Sequence, residues 1–254
     1  MPHHPGPSAA TLDPAEVDRF ARLASEWWDT DGKFRTLHQI GPARLTFARD
    51  RLASHFGRAG AIATLRPLEG LSVLDVGCGG GLMCEPLTRL GASVTGIDPA
   101  AENIEAARRH AAGQGLEIEY RAARAEDLAG EGQAFDAVMC LEVVEHVPDV
   151  GAFLKALGAL VRPGGLMLLS TLNRTLKAYV LAIVGAEYVL GWLPVGTHQW
   201  ERFVTPEELA THLQAAGFGV PVLQGLVYNP LTGAWSLSST DTDVNYFAAS
   251  VKAA

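Results

Sequence analysis

The sequence predicts an α/β fold in which helices cover both faces of a seven-stranded, mostly parallel sheet. From residue 71 onward, short apolar runs of strand length alternate with segments in which apolar residues recur at helical spacing. A glycine-rich turn follows the first run, and acidic residues, Asp75 and Asp98, stand at the ends of the first two. Right-handed crossovers place the carboxyl ends of parallel strands at one edge of a sheet, so a ligand site is expected there.

The composition is that of a globular protein with a substantial core, since 48% of the 254 residues are hydrophobic and 19% are charged. The net charge of −8 argues against nonspecific nucleic-acid binding, which needs a basic surface. Three cysteines without CxxC spacing predict reduced thiols in a cytoplasmic protein. Residues 1–12 carry no targeting pattern and are predicted to be a disordered arm before a single domain, residues 13–254.

A helical cover is predicted ahead of the sheet, over residues 13–66. Its first helix has Asp13 as the expected N-cap and Pro14 at the first helical position. Glu16 completes the pattern of a capping box, in which its side chain would accept from the N-cap amide. The cover therefore begins with a well-defined helix start.

The tryptophan pair, Trp27 and Trp28, is expected to pack this cover onto the core, because aromatic side chains usually serve burial. A second helical segment is predicted over residues 34–56. It is expected to break at Pro42, which follows a glycine, because proline removes a helical N–H donor and crowds the preceding turn. Arg44 stands just after the predicted break.

Five strands are expected next, each a short apolar run: LSVLDVG, ASVTGIDP, EIEYRAA, FDAVMCLE and LMLLSTLN. Helical segments are predicted between them over residues 83–90, 100–112 and 150–160. A late helix, capped by Thr205 and ended by Gly217, follows. The segments VLQGLVYNP and VNYFAAS then supply the last two of the seven strands.

The turn after the first strand, VLDVGCGGG, contains Gly77, Gly79 and Gly81, which let the backbone bend sharply and approach a ligand closely. Exposed amides at the start of the next helix would face that ligand. A dinucleotide fingerprint needs a small residue where Leu82 stands, so a pyrophosphate ligand, and with it a dehydrogenase, is disfavoured. Asp98, roughly 20 positions after the first glycine, is placed to accept hydrogen bonds from a ribose.

The segments VLDVGCGGG, VTGIDP, FDAVMCLEVVEHVPD and RPGG resemble the successive motifs of class I S-adenosylmethionine-dependent methyltransferases, which have a Rossmann-like three-layer α/β/α fold. More specific segments, EWWD, LHQIGPARL, STLNRT, VGAEYVLGWLPVGTH and TDVNY, resemble the ubiquinone-biosynthesis O-methyltransferase family over about residues 13–248. The resemblance implies S-adenosylmethionine as cofactor. It also implies O-methylation of polyprenylated phenols and catechols, at both O-methylation steps of ubiquinone biosynthesis.

The resemblance further implies the roles of single residues. Gly77 is expected to touch the methionine part of the cofactor, Asp98 to hold its ribose, and Arg44 to reach its carboxylate, for which a planar bidentate donor is suited. Leu141, taken as the residue after the fourth strand, is expected beside the cofactor, and Glu126 near the adenine.

The stretch LEVVEHVPD contains three ionisable side chains on the expected ligand edge: Glu142, Glu145 and His146. If the stretch is helical, the three share one face. Methyl transfer to a phenol requires a group that takes the hydroxyl proton, and histidine is a natural base near neutral pH. A divalent cation bound by the trio would instead lower the pKa of the hydroxyl.

Both roles of the trio stay open. His146 is the candidate catalytic base, with His38 and His198 as secondary candidates. The resemblance implies a Mg²⁺ ion held by Glu142, Glu145 and His146, although Mg²⁺ prefers oxygen ligands and a histidine would be unusual.

An apolar insert, residues 173–204, lies between the fifth strand and the late helix. From Leu176 to Leu193 only Lys177 and Glu187 are charged. A transmembrane helix is disfavoured by the glycines and the proline of this segment. A buried helix and an interfacial lid that meets lipid are the alternatives. The resemblance favours the lid, and with it peripheral association with the membrane or with other ubiquinone-biosynthesis proteins, because a polyprenyl tail resides in the bilayer.

Two rival functions also stay open. One is a methyltransferase for another small acceptor, such as a C-methylating quinone enzyme. The other is a membrane-docking module that has kept the cofactor pocket without turnover. Product mass distinguishes the first from O-methylation, and the absence of any methylated product distinguishes the second.

Overall fold

The computed structural model describes residues 12–189 and 199–254. At its centre lies an eight-stranded sheet with strand order β3-β2-β1-β4-β5-β8-β6-β7. The strands are β1 (Ser72–Val76), β2 (Ser93–Asp98), β3 (Glu119–Ala122), β4 (Phe135–Leu141), β5 (Val161–Leu172), β6 (Val222–Asn229), β7 (Ala234–Ser238) and β8 (Asn245–Val251). The predicted mostly parallel sheet is confirmed, with β7 as a strand that the sequence pattern did not indicate.

The first five strands pair in parallel, and β8 runs antiparallel between β5 and β6. The order of the parallel strands reverses between β1 and β4, which makes this the switch point of the sheet. The carboxyl ends of β1, β2 and β4 meet at the same edge. This edge brings together the glycine turn after Val76, Asp98 at the end of β2 and Leu141 at the end of β4.

Eight α-helices accompany the sheet within the described ranges: α1 (Pro14–Ala21), α2 (Arg35–His55), α3 (Cys84–Arg89), α4 (Ala101–Gly113), α5 (Ala125–Gly130), α6 (Val150–Leu160), α7 (Leu176–Ala178) and α8 (Pro206–Ala215). Successive strand residues point to opposite faces, so Val73 and Leu74 belong to different apolar clusters. One cluster packs α2, α3 and α4 on one face, and the other packs α5, α6 and α8 on the opposite face.

The predicted break in the second helical segment is wrong, because α2 continues through Pro42. A proline inside a helix removes one N–H donor and crowds the carbonyl one turn earlier. The cost is offset by packing, since Ile40, Phe47 and Leu52 of the same helix are buried in the core. Arg44 is therefore held on a continuous and well-anchored helix.

The start of α1 agrees with its predicted cap only in part. Asp13 is the N-cap and accepts from the Ala15 amide at 3.1 Å, and Pro14 is the first helical residue. Glu16 does not complete a capping box, because its carboxylate contacts Arg19 and His146 instead. An interaction distant in sequence thus replaces the local one.

The apolar insert begins as α7 and continues as a π-helix, Tyr179–Val189. Leu176, Val180 and Leu181 expose 77%, 47% and 52% of their surface, whereas Ala178 is fully buried. None of the helices in the described ranges combines the length and apolar character that a membrane crossing requires. The part of the insert from 190 to 198 lies outside the described residues.

Candidate active site

The glycine turn between β1 and α3 lies in close contact with two other segments. Gly77 and Gly79 have φ of +72° and +53°, in the left-handed region that favours glycine. A Cβ on Gly77 would stand 2.5 Å from Cγ2 of Val143, and one on Gly79 would stand 2.3 Å from the Trp27 indole. The Gly77 amide donates to the Ile97 carbonyl at 2.8 Å, which fixes the turn against β2.

Asp98, at the end of β2, lies beside this turn and is only 7% exposed. Its Oδ1 accepts from the Ala100 amide at 2.9 Å and from Asn103 Nδ2 at 3.1 Å. Its Oδ2 accepts from the Gly79 amide at 3.0 Å. Burial raises the pKa of Asp98, and these three hydrogen bonds oppose the rise. The glycine turn and the acid are thus joined directly.

Arg44 reaches the same edge from α2 and is 5% exposed. Its Nη2 lies 3.6 Å from Glu142 Oε1, and its Nε and Nη2 have no hydrogen-bond partner among the described residues. Buried donors without partners are rare and costly. Arg44 also lines a cavity of about 160 Å³. The other residues around this cavity are Trp28, Leu37, His38, Gly41, Leu82 and Met83.

Glu142 directly follows β4 and has φ of +55°, an unusual value for a residue with a side chain. The conformation is held by three polar neighbours of its carboxylate. Ser170 Oγ donates at 2.6 Å, Asn245 Nδ2 lies 3.1 Å from each carboxylate oxygen, and Arg44 forms the ion pair described above. Glu142 therefore links β4 to the two strands on one side of it and to α2.

Glu145 lies in the single 3₁₀ turn Val144–His146 and is 3% exposed. Its Oε2 accepts from Thr171 Oγ1 at 2.8 Å, and its Oε1 has no hydrogen-bond partner among the described residues. Burial, followed by the nearby charge of Glu142, raises the pKa of Glu145 to about 7.

His146 ends this turn, and its Nδ1 lies 2.9 Å from Glu16 Oε2 of α1. The Phe20 ring meets the imidazole edge-on, with ring centroids 5.6 Å apart. Burial raises the pKa of Glu16, but the hydrogen bond and charge of His146 and the charge of Arg19 outweigh it, so the pKa falls below its ordinary value. The N-terminal cover thus orients the candidate base.

The predicted helical face shared by Glu142, Glu145 and His146 is wrong, because the positive φ of Glu142 separates it from the short turn that holds the other two. Each side chain of the trio instead has its own protein partners. Across residues 12–189 and 199–254, no three His, Cys, Asp or Glu side chains are grouped so as to hold a metal ion. The trio as placed does not fit a Mg²⁺ site.

Two further predicted residues, Leu141 and Glu126, lie at or shortly after the carboxyl ends of β4 and β3. Leu141 is the last residue of β4, paired with Ser170, and not the residue after the strand. Glu126 lies in the first turn of α5, close in sequence to the end of β3, and its adenine contact stays a prediction. His38 Nε2 lies 2.9 Å from the Trp27 carbonyl oxygen. His198 lies outside the described residues.

Sequence reasoning missed four polar residues that hold the site: Glu16, Asn103, Ser170 and Asn245. Asn103 had the clearest signal, because it lies five residues after Asp98 at the start of a predicted helix. Ser170 and Asn245 become neighbours of Glu142 only because β8 pairs with β5, which a strand pattern alone does not indicate.

Comparison with known proteins gives agreeing results. A family model described as a methyltransferase domain matches residues 45–221. The chain is 55% identical over 238 residues to a ubiquinone biosynthesis O-methyltransferase of Azorhizobium caulinodans, covering 94% of this chain and 93% of that protein. It is 52% identical over 244 residues to the protein of the same name from Parvibaculum lavamentivorans, covering 96% and 95%.

Among solved structures, the chain resembles magnesium protoporphyrin IX methyltransferase from Synechocystis with bound S-adenosylhomocysteine. The TM-score is 0.60 and the sequence identity 23%, and the match covers 94% of each chain. At this identity the likeness supports the class I methyltransferase fold and not a substrate.

Proposed function

The chain belongs to the family of ubiquinone biosynthesis O-methyltransferases, and from this premise we propose that it methylates hydroxyls of polyprenylated phenols and catechols with S-adenosylmethionine. Both O-methylation steps of the pathway are assigned to the same site. The sheet edge at the switch point holds the groups that such a reaction needs.

The observation that carries the proposal is Arg44, a buried guanidinium whose Nε and Nη2 lack hydrogen-bond partners beside the cavity near Leu82 and Met83. A carboxylate ligand satisfies these donors with charge-assisted hydrogen bonds. The amino-acid end of S-adenosylmethionine carries such a carboxylate, and Asp98 lies at the same edge to receive the ribose. Gly77 leaves the backbone between them free of a side chain.

When bound, S-adenosylmethionine supplies the methyl group, which passes from its sulfonium sulfur to the acceptor oxygen as the carbon–sulfur bond breaks. The protein aligns the two reacting atoms, and alignment of this kind supplies up to roughly 7–11 kcal/mol of the acceleration. The acceptor oxygen also loses its proton. A base on the protein is therefore required at the same edge.

We assign to Nε2 of His146 the role of the base that takes the proton from the acceptor hydroxyl. The Glu16 carboxylate can only accept a hydrogen bond, so Nδ1 of His146 carries a hydrogen toward it, and Nε2 is left with a free lone pair. Glu16 then stabilises the imidazolium that forms when the proton is taken up. The trio as placed does not fit a metal site, so the proposed proton acceptor is His146 itself.

Incubation of the protein with a prenylated catechol and isotope-labelled S-adenosylmethionine tests this function. The expected product gains one methyl group on oxygen. Fragmentation in the mass spectrometer distinguishes this product from one methylated on carbon. Methylation on carbon would favour the rival quinone enzyme. Binding of S-adenosylhomocysteine without any methylated product would favour the binding module.

We also propose that the exposed apolar face of the insert, Leu176 to Val184, meets lipid and admits the polyprenyl tail. Tyr179 and Leu181 on this face are 43% and 52% exposed. The base of the insert is anchored, because Lys177 Nζ lies 2.8 Å from Asp241 on the β7–β8 connection. An exposed apolar face on an anchored base is typical of an interfacial segment.

Flotation with vesicles of phosphatidylethanolamine and phosphatidylglycerol tests the lipid contact. The wild-type protein is expected to float and Leu181→Asp to remain at the bottom of the gradient. Leu231→Asp is the matched control, because Leu231 is 94% exposed on the β6–β7 turn outside the insert. If the wild-type protein stays unbound, or if both variants float equally, this face does not dock on lipid.

A further inference from the structure

A chain of hydrogen bonds connects the N-terminal cover to Asp98. The indole Nε1 of Trp27 donates to Asn103 Oδ1 at 2.8 Å, and Asn103 Nδ2 donates to Asp98 Oδ1 at 3.1 Å. Trp27 is 7% exposed and Asn103 1% exposed, so neither group can exchange these bonds for water. Asn103 lies on α4, five residues after Asp98.

The direction of each bond in this chain is fixed by chemistry. An indole N–H only donates, and an ionised carboxylate only accepts. The Asn103 amide must therefore present its oxygen to Trp27 and its nitrogen to Asp98. The opposite orientation would set a donor against a donor and an acceptor against an acceptor. Trp27 thus selects the orientation in which Asn103 donates to the acid.

The donors around Asp98 limit how it can bind a ligand. A carboxylate has about four lone-pair positions. Three are used by Asn103 Nδ2 and by the amides of Ala100 and Gly79. The remaining position lies on Oδ2, since Oδ1 already accepts two hydrogen bonds. Any rotation of the carboxylate would move this free lone pair away from its place beside the glycine turn.

Trp27 is itself held firmly. Its ring stacks on Phe34 with centroids 3.8 Å apart and planes 4° apart. The indole also lies over the glycine turn, where a Cβ on Gly80 would stand 2.4 Å from Trp27 Cβ. The next residue, Trp28, donates from Nε1 to the Gly80 carbonyl at 3.0 Å. The indole N–H therefore points at Asn103 from a fixed position.

We propose that Trp27 and Asn103 are positioning residues for Asp98, which they orient so that its free lone pair receives a ribose hydroxyl of the cofactor. This inference rests on the proposed function, because it requires a nucleoside ligand at the glycine turn. Trp27 belongs to the cover and Asn103 to α4, which packs on one face of the sheet. The affinity for the ribose therefore depends on a docked cover.

Calorimetry with two ligands, S-adenosylhomocysteine and its 2′,3′-dideoxy analogue, tests the inference. Trp27→Phe keeps an aromatic ring for the stack on Phe34, removes the N–H donor and replaces the indole with a smaller ring, a loss of size that the control Trp28→Phe shares. We expect this variant to bind S-adenosylhomocysteine roughly fivefold to tenfold more weakly, which corresponds to the loss of about one net hydrogen bond. The dideoxy analogue, which lacks the hydroxyls that Asp98 would receive, is expected to bind the variant and the wild type within about twofold.

Trp28→Phe is the matched control. It removes the bond to the Gly80 carbonyl and leaves the bonds to Asp98 in place, so any loss of affinity is expected to be equal for the two ligands. Asn103→Ala is expected to reproduce the selective loss of Trp27→Phe. Since a polar deletion in the core can unfold a protein, Trp27→Phe alone is sufficient if Asn103→Ala does not fold.

Equal weakening of both ligands by Trp27→Phe, or no weakening of either, would overturn the inference while leaving the proposed function intact. If the wild-type protein does not bind S-adenosylhomocysteine, the proposed function fails, and the inference fails with it.

Discussion

The two halves of the candidate site differ in which residues adopt positive φ and in how many hydrogen bonds their buried carboxylates receive. On the glycine-turn side, defined by Gly77, Gly79 and Asp98, the positive φ angles belong to glycines and the acid receives three hydrogen bonds. On the side after β4, which we call the Glu–His side, Glu142 has a positive φ and Glu145 is buried with one oxygen unpartnered. Backbone strain and buried charge are common at reactive sites. The proposed function accordingly assigns cofactor binding to the glycine-turn side and proton transfer to the Glu–His side.

Replacing His146 with alanine is expected to give the largest effect. Loss of a general base lowers turnover by about a thousandfold, within the range known for such groups. The affinity for S-adenosylhomocysteine should stay within about twofold, because His146 contacts Glu16 and Phe20 and not the glycine turn. Methyl transfer from labelled donor and calorimetry measure the two quantities.

His55→Ala is the control for this variant, since His55 contacts the Gly164 carbonyl before the buried part of β5 and should leave turnover unchanged. Normal turnover in His146→Ala would remove His146 from the mechanism. An equal loss of turnover in His38→Ala would point to His38 as a second base candidate.

Asp98→Ala tests the glycine-turn side of the site. It removes a buried carboxylate that is proposed to receive the ribose, and we expect about a hundredfold weaker binding of S-adenosylhomocysteine. The affinity for the acceptor should change much less. Calorimetry with S-adenosylhomocysteine and with the acceptor measures the two affinities. Asp136→Ala, near the amino end of β4, is the control with wild-type affinity expected. Unchanged cofactor affinity in Asp98→Ala would refute the assignment of the ribose to Asp98.

Asp75, in β1 beneath the glycine turn, is a further buried carboxyl on the glycine-turn side. Burial raises its pKa to about 7, although a hydrogen bond from Cys84 Sγ at 3.2 Å lowers it. A raised pKa means that the native state binds more protons than the unfolded chain between pH 4 and 7. The contribution of Asp75 to stability is therefore present at low pH and lost as pH rises toward 7.

Urea unfolding of wild type and Asp75→Asn from pH 4 to pH 8 measures this contribution. The wild-type stability relative to the variant should fall by about 4 kcal/mol over that range. The exposed Asp127, whose pKa is lowered by its hydrogen bond with Arg124, gives a control variant, Asp127→Asn, without this fall. If the difference in the free energy of unfolding between wild type and Asp75→Asn stays constant from pH 4 to pH 8, the pKa of Asp75 is not raised.

Chelation by EDTA should have the smallest effect on cofactor binding. Arg44, Asp98 and the glycine amides are the predicted binding groups, and none of them needs a metal. Affinity for S-adenosylhomocysteine is expected to stay within about twofold when EDTA is added. A clear loss, restored by Mg²⁺, would put a metal on the glycine-turn side.

The sequence predicted the glycine-turn side better than the Glu–His side, for a physical reason. Gly77, Gly79 and Asp98 occupy places that strand and turn patterns define, so their proximity follows from a parallel sheet. Glu142, Glu145 and His146 were also located, but their geometry depends on partners remote in sequence. Glu16 comes from α1 and Asn245 from β8, and no local pattern predicts these contacts.

The errors in the fold have the same origin. Pro42 predicts a break when only local propensity is considered, and burial of its neighbours in α2 overrides it. Strand β7 was not predicted because Ala234–Ser238 has only five residues, and its place depends on pairing with β6. Short elements supported by long-range pairing are those that sequence patterns define least.

The insertion of β8 between β5 and β6 has a consequence for biosynthesis. Phe247 and Tyr246 fill the core from a strand that is synthesised after β5 and β6, and Asn245 on the same strand donates to Glu142. Until those residues emerge, β5 is an open edge exposed to wrong partners. The nascent chain therefore completes the hydrogen bonds of Glu142 only after β8 has paired with β5.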